Sequence, residues 1–258
     1  SNSSAASDVY KRQAVWSMYD YNRGCCDNIC YSGVADIFRL PKFSLSFFRT
    51  QIAEGSMLPS GKMPYEVFIP AYRDEILSDT VMVYGNVDEV ELVLNGKTIR
   101  RQTADKGPDS DYIPVPNGGN GKNLHFPPFT FYGVSKERGV LKAVGYHQGK
   151  KVAEYTVKTP GVPERLDITY FESGKPATKN DLLIVYVRML DKQGVLCPVN
   201  GIPVELSVQG GEIVGPTSYP LEAGVASFLV RTGEISKINI NATGKGFSTR
   251  KSLKVGKE

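Results

Sequence analysis

The stretch Ala14–Gln51, AVWSMYDYNRGCCDNICYSGVADIFRLPKFSLSFFRTQ, decides how the rest of the chain is read. Ala14, Val15 and Trp16 open it as an apolar strand, and a polar cluster follows at Asp20, Asn22 and Arg23. Pro41 suits a first helical position, where a missing N–H is no loss. Phe43, Phe47 and Leu45, Phe48, Ile52 then recur at three- and four-residue spacing, which makes one apolar helix stripe. A strand, a polar and aromatic loop and a helix form one βα unit. In a (β/α)8 barrel such a loop carries active-site groups, but a barrel takes about 250 residues and this stretch supplies a single unit.

Downstream the pattern changes. Gly55 to Pro64 is rich in Gly, Ser and Pro and reads as a linker. Short β-rich runs separated by turn residues follow, the pattern of an all-β sandwich. The expected strands are Tyr65 to Ala71, Asp79 to Tyr84, Val90 to Leu94, Thr98 to Arg101, Phe129 to Tyr132, Val140 to Tyr146 and Val152 to Val157. Val90, Leu92 and Leu94 alternate onto one face, and Asn95-Gly96 follows at once as a strong hairpin signal. The long Thr103–Pro128 segment reads as a surface insertion; its Asp105, Asp109 and Asp111 do not have the spacing of an EF-hand loop.

Thr159-Pro160-Gly161-Val162-Pro163 is short and proline-pinned, so it is expected to hold its neighbours semi-rigidly. A second sandwich should follow, with strands at Arg165 to Tyr170, Leu182 to Leu190, Val204 to Val208, Gly224 to Val230 and Lys237 to Ala242. The fold class expected is mainly β. Two immunoglobulin-like β-sandwiches, residues 57–160 and 161–258, follow a truncated βα piece of a (β/α)8 barrel, residues 14–56. Residues 1–13 contain SSAASDVYKRQ, which reads as a translated sequencing adapter and is expected to be a disordered tail.

The N-terminal residues carry a resemblance. Trp16, Tyr19-Asp20-Tyr21-Asn22-Arg23-Gly24, Ser32-Gly33-Val34-Ala35-Asp36, Arg39-Leu40-Pro41-Lys42 and Phe47-Phe48-Arg49-Thr50-Gln51 stand in order with short gaps. Together they resemble the last βα unit of the catalytic barrel of glycoside hydrolase family 2, in its β-galactosidase-like branch. Val83-Tyr84-Gly85-Asn86 running to Asn95-Gly96-Lys97 is similar to the immunoglobulin-like domain after that barrel. Asp181 to Val187 and Ala223 to Ala226 are similar to bacterial immunoglobulin-like modules. The resemblance implies that Trp16 lines the sugar subsite in an intact parent, with Ser32 beside it. Asp20, Asn22 and Arg23 have the short polar and forked side chains that hydrogen-bond sugar hydroxyls, with stabilisation of their own loop as the equal alternative. Ser32 stands where some family members carry an asparagine next to a sodium site, so no metal is expected. The resemblance also implies that the two catalytic glutamates lie on earlier barrel strands. Arg39 and Lys42 are read as structural.

Composition sets the remaining bounds. Of 258 residues, 41% are hydrophobic and 22% charged, as in globular proteins, and the net charge is +4. Basic residues are scattered rather than run together, which argues against a nucleic-acid partner. No run approaches a membrane span. Cys25, Cys26 and Cys30 crowd one loop without a C-x-x-C pair, and Cys197 is distant. They are read as thiols or a local disulfide rather than a metal site, and no cofactor is expected.

The functional expectation is the C-terminal part of a retaining β-glycosidase, β-galactosidase-like, which scaffolds its barrel and is inactive alone. Its partner would be a carbohydrate, with a homo-oligomer possible. By family analogy the location would be periplasmic or extracellular. The alternative is a pair of autonomous carbohydrate-binding or adhesion modules.

Overall fold

The computed structural model of the chain describes residues 17–22, 24, 29–71, 79–105, 124–171 and 175–256. The adapter-like tail, the expected strand at Ala14–Trp16, and Arg23, Cys25 and Cys26 lie outside those residues.

Among the described residues the helix α1 (Phe43–Thr50) follows an irregular loop. It begins two residues after Pro41, not at it. Lys42 is the N-cap, with ψ at 165°. Its backbone N–H donates to the Val34 carbonyl (3.0 Å), which holds Lys42 extended and delays the first turn. Arg49 in the last turn suits the helix dipole.

The Gly55–Pro64 linker is a closed hairpin. β1 (Met57–Leu58) pairs with β2 (Gly61–Lys62) around Pro59-Ser60. Met63 seals it at 1% exposure, with its N–H on Ser56 and its carbonyl on Gly55.

The first sandwich uses β3 (Val67–Phe68), β4 (Val81–Gly85), β5 (Glu89–Leu94), β6 (Lys97–Thr103), β7 (Phe129–Phe131), β8 (Val140–His147) and β9 (Lys150–Lys158). Its sheets are β3-β4-β7 and β6-β5-β8-β9, antiparallel throughout. The strand expected over Tyr65–Ala71 shrinks to two residues. Pro64 and Pro70 flank it, and a proline has no N–H to extend a ladder. Asn95 and Gly96 both take positive φ (51° and 80°), the type I′ geometry that their sequence signalled. Val90 and Leu92 are wholly buried, as their alternation required.

The second sandwich uses β10 (Pro163–Tyr170), β11 (Leu182–Asp191), β12 (Pro203–Gln209), β13 (Gly211–Ile213), β14 (Ser218–Pro220), β15 (Val225–Thr232), β16 (Lys237–Gly244) and β17 (Phe247–Lys254). Its sheets are β10-β11-β15-β13 and β14-β12-β16-β17. Leu183, Val185, Val187 and Met189 of β11 face a core that contains Phe228, Ile238 and Ile240. The two sandwiches have separate cores.

The proline-pinned connector is held from both sides. Arg138 of the first sandwich donates to the Pro160 carbonyl, and Asp191 of the second accepts the Gly161 N–H at 2.7 Å. Asp191 also accepts from Gln193 and Val195, which closes the Asp191–Gly194 turn. These N–H donors, Gly161 first, hold its carboxyl below the usual range.

Candidate functional site

The loop from Ser17 to Lys42 is the candidate site, and its geometry follows from one missing side chain. Gly33 lies against residues 19–20. A Cβ there would stand 2.3 Å from the Asp20 nitrogen and 2.6 Å from the Ala35 carbonyl oxygen, so only glycine fits. The close approach lets segment 17–20 bridge segment 34–35 in parallel, through Val34 N–H to Ser17, Ala35 N–H to Met18 and Asp20 N–H to Ala35. Tyr21 and Cys30 exchange a second pair of backbone hydrogen bonds and close the loop between them.

Asp20 is the pin of this arrangement. It is 6% exposed, and one oxygen accepts both the Gly33 N–H (2.9 Å) and the Lys42 ammonium (2.6 Å). Lys42 also donates to the Tyr31 carbonyl at 3.0 Å. A carboxylate bound this way is directed at its own chain. A buried charge is tolerable only with such partners. Asp36 is nearby and half-withdrawn from water, and that desolvation raises its pKa, aided by the Asp20 charge. Its Oδ1 accepts the Leu40 N–H at 2.8 Å.

The other expected site residues divide. Asn22 is exposed, and its Oδ1 accepts the Gly24 N–H (2.8 Å) in a tight turn. Ser32 is exposed, with its hydroxyl 3.3 Å from the Cys30 sulfur. Trp16 and Arg23 fall outside the described residues. Asp20, Ser32 and Asn22 thus belong to one loop, with the last two on its solvent side. Two aromatic rings join them there. Tyr31 is 73% exposed and Tyr19 is 42% exposed, with Lys42 over the first ring and Arg39 over the second. Neither tyrosine followed from periodicity, because the loop has none.

The loop is fixed to both sandwiches. On one side the α1 rings Phe43 and Phe47 meet Phe68 and Tyr84 edge-on, at 5.7 and 5.0 Å between centroids. Arg49 forks onto both oxygens of Glu66. Gln51 exchanges two hydrogen bonds with the Phe126 backbone (3.0 and 3.1 Å). On the other side the Tyr186 hydroxyl of β11 donates to the Phe38 carbonyl at 2.6 Å. Burial pushes the Tyr186 pKa up to about 12, and the Asp36 charge adds to the rise. Arg39, at φ 66°, lays its guanidinium on Phe171.

Asn86 also belongs to this joint, although its residue type alone does not mark it. It is 3% exposed, and it accepts from Glu66 N–H (2.6 Å) and donates to the carbonyls of Ile52 and Pro64 (3.0 Å each). The sequence signal was its place in the Val83–Glu89 stretch, one residue past a strand end.

Among the described residues, no group of three or more His, Cys, Asp and Glu side chains is placed to hold a metal ion, and no helix is long and apolar enough to cross a membrane.

Comparison with known proteins gives three kinds of likeness. Residues 78–153 match the family model described as a domain of unknown function, DUF4982. A β-galactosidase of Thermoanaerobacter pseudethanolicus is 33% identical over 84% of this chain and 29% of its own length. A β-galactosidase of Rhizobium radiobacter is 30% identical over 49% of this chain and 92% of its own length. A solved β-glycosidase of Bacteroides vulgatus superposes with a TM-score of 0.71 at 16% identity, covering 93% of this chain and 30% of that one. That last likeness shows the fold. The chain spans less than a third of the first curated relatives it matches, 29% of one and 31% of another.

Proposed function

Since the chain belongs to glycoside hydrolase family 2 and corresponds to the C-terminal region of its members, we propose that it serves a β-glycosidase acting on terminal β-galactosides. In this reading the Ser17–Lys42 loop forms one wall of the sugar subsite, and the two sandwiches hold that wall in place. The observation that carries it is the construction of the loop. Gly33, Asp20 and Lys42 lock its inner side, which leaves Tyr31, Tyr19, Asn22 and Ser32 toward solvent. Exposed rings beside amide and hydroxyl groups suit a sugar, which has an apolar ring face and a rim of hydroxyls. Trp16 and Arg23 are the further residues proposed for this wall. Asp20 takes the role of a positioning residue. The β-galactosidase names of four sequence relatives support the choice of galactoside, against one named a putative β-glucuronidase.

Hydrolysis itself would come from elsewhere in the polypeptide. Retaining glycosidases set two carboxyls about 5–5.5 Å apart across the scissile bond. In this loop Asp20 is spent on Gly33 and Lys42, and Asp36 on the Leu40 N–H. We therefore expect this chain to bind and brace without cleaving. The test is a panel of chromogenic β-glycosides, assayed with this chain and with a form extended upstream by a whole barrel. Cleavage of the galactoside by the extended form alone is the expected result. Cleavage by this chain, or an extended form that prefers another glycoside, would overturn the corresponding part of the reading.

A further inference from the structure

The outer faces of the sheets differ in how they treat charge. On β6-β5-β8-β9, Arg101 pairs with Glu89, and Lys142 and Lys151 both reach Glu154. On β10-β11-β15-β13, Arg188 pairs with Asp167 and Arg231 with Glu212. The fourth sheet of the sandwiches, β14-β12-β16-β17, carries no ion pair among its described residues. Its inward residues Val204, Leu206, Ile238, Ile240 and Ala242 are buried, so the alternate positions face out. Outward on β16 and β17 stand Lys237, Arg250 and Lys254. Among the described residues, no ion pair includes any of the three. Lys237 and Lys254 are direct cross-strand partners. Like charges in that position repel, and an anion lying between them would remove the cost.

The ground between these cations is uniformly polar. Ser207, Gln209, Asn239, Asn241, Thr243, Ser248 and Ser252 face out beside them. Ser252 bonds Asn239 (2.6 Å) and Asn241 bonds Ser207 (3.5 Å), which leaves amide and hydroxyl capacity over. At the β16–β17 turn the face ends in a shallow cavity of about 450 Å³, lined by Glu205, Thr243, Lys245, Phe247 and Ser248 among others. That volume is in the range of ligand sites. Glu205 is the one acid on the face, and it sits at the cavity, away from the Lys237–Lys254 end.

We propose that this face is a binding site for an acidic polysaccharide. The chain's carboxylates meet Arg250 and the Lys237–Lys254 pair, its hydroxyls meet the Asn/Ser/Thr/Gln lattice, and one sugar unit reaches the cavity at the β16–β17 turn. Other polyanions fit less well. The outward side chains include no aromatic ring on which a base would stack, and no large apolar side chain that would enter a membrane interface. The site is separate from the Ser17–Lys42 loop, so it stands or falls independently of hydrolysis.

The test is affinity electrophoresis of the whole chain at low ionic strength through gels containing sodium polygalacturonate or neutral galactan. The polyuronate should retard the protein. The combined variant Lys237→Gln, Arg250→Gln, Lys254→Gln should bind it at least about tenfold more weakly, since several exposed charge contacts are lost together. A control with the same charge change on the first sandwich, Lys97→Gln, Lys150→Gln, Lys158→Gln, should bind as the parent does. Thermal melts check that each variant is folded. If the triple variant melts early, Lys254→Gln alone replaces it, and that change should weaken binding while relieving the lysine repulsion. Absence of retardation by polyuronate would overturn the proposal. Equal weakening in the control would do so too, as it would show attraction to overall charge. Equally tight capture of duplex DNA or of phosphatidylserine vesicles through the same three residues would replace the ligand proposed here.

Discussion

Replacing Asn86 offers the sharpest test of how the N-terminal unit is fastened to the first sandwich. One side chain there serves three backbone groups: the Glu66 N–H at 2.6 Å and the carbonyls of Ile52 and Pro64 at 3.0 Å. Ile52 follows α1, while Pro64 and Glu66 lead into β3, so a single amide ties helix exit, hairpin exit and sheet together. Each such bond contributes about 0.5–1.5 kcal/mol, and a donor or acceptor left buried without a partner costs about 1–3 kcal/mol. Water will reach some of the groups freed in Asn86→Ala. The expected loss is therefore about 2–4 kcal/mol. For a unit of this size that is roughly 10–25 °C in the melting transition of the first sandwich. Asn86→Asp separates hydrogen bonding from shape. An ionised carboxylate keeps the Glu66 N–H but faces two carbonyl oxygens, so the site favours its neutral form and raises its pKa. A raised carboxyl pKa means that the folded state holds the proton more tightly. The variant then loses stability as pH rises through the unfolded value of about 3.9. The gap between Asn86→Asp and the parent should be small at pH 4 and widen by pH 7. Calorimetry across that range reads both effects. A loss below about 0.5 kcal/mol for Asn86→Ala, or a gap for Asn86→Asp that does not change with pH, would refute this account of the joint.

Three further outcomes follow from the same contacts. Gly33→Ala should break the parallel bridge between segments 17–20 and 34–35, because its Cβ meets backbone atoms that cannot swing away; faster amide exchange at Asp20 and Ala35 is the readout, and unchanged exchange would contradict the steric reading. Tyr186→Phe removes the bond to the Phe38 carbonyl and should cost about 1 kcal/mol at neutral pH. Because the folded Tyr186 pKa is raised to about 12, the parent should lose this advantage as pH climbs from 10 toward 12, and alkaline melts of the pair would show the curves converging. Asp191 has a depressed folded pKa, so its contribution is present above about pH 3.9 and lost as pH falls through the folded value. The melting gap between the parent and Asp191→Asn should therefore shrink on acidification, and a constant gap would show that the Gly161 contact does not depend on the charge.

The parts legible in the sequence were those whose cause is local. Asn95-Gly96 names its own turn, and the alternation of Val90, Leu92 and Leu94 names the face they bury. Edge strands were harder. β17 sends Phe247, Thr249, Lys251 and Leu253 toward the sandwich interior side, and a set so mixed leaves no apolar period to read. β13 and β14 are three residues each, too short for any pattern. In the candidate site the sequence yielded the residue types but not their direction. Asp20 reads equally as a sugar ligand or a loop stabiliser, and its loop partners Gly33 and Lys42 are 13 and 22 residues away. The same holds for Asn86 and Gln51, whose partners lie up to 75 residues off.

The apolar stripe of α1 is only partly covered: Phe43 and Phe48 are each 37% exposed, while two of its rings have partners in the first sandwich. Phe43 and Phe47 rest on Phe68 and Tyr84 of the first sandwich, while Phe38 and Arg39, four to five residues before the helix, meet Tyr186 and Phe171 of the second. This explains a feature of β11 that a free-standing sandwich would not need. Its core-facing residues are apolar as expected, but Tyr186 on the opposite face is also buried, at 6% exposure. A large side chain on the outer face of a sandwich is covered only where another element docks. Here the element is a turn whose geometry depends on Arg39 at positive φ and on the Asp36–Leu40 bond. The N-terminal unit is therefore a wedge shared by both sandwiches, and it fixes their mutual placement alongside the Arg138 and Asp191 contacts to the connector. In the reading proposed above, this wedge is what holds the exposed rim of Tyr19, Tyr31, Asn22 and Ser32 against both sandwiches. Precise placement of polar groups is what distinguishes a binding wall from a solvated loop.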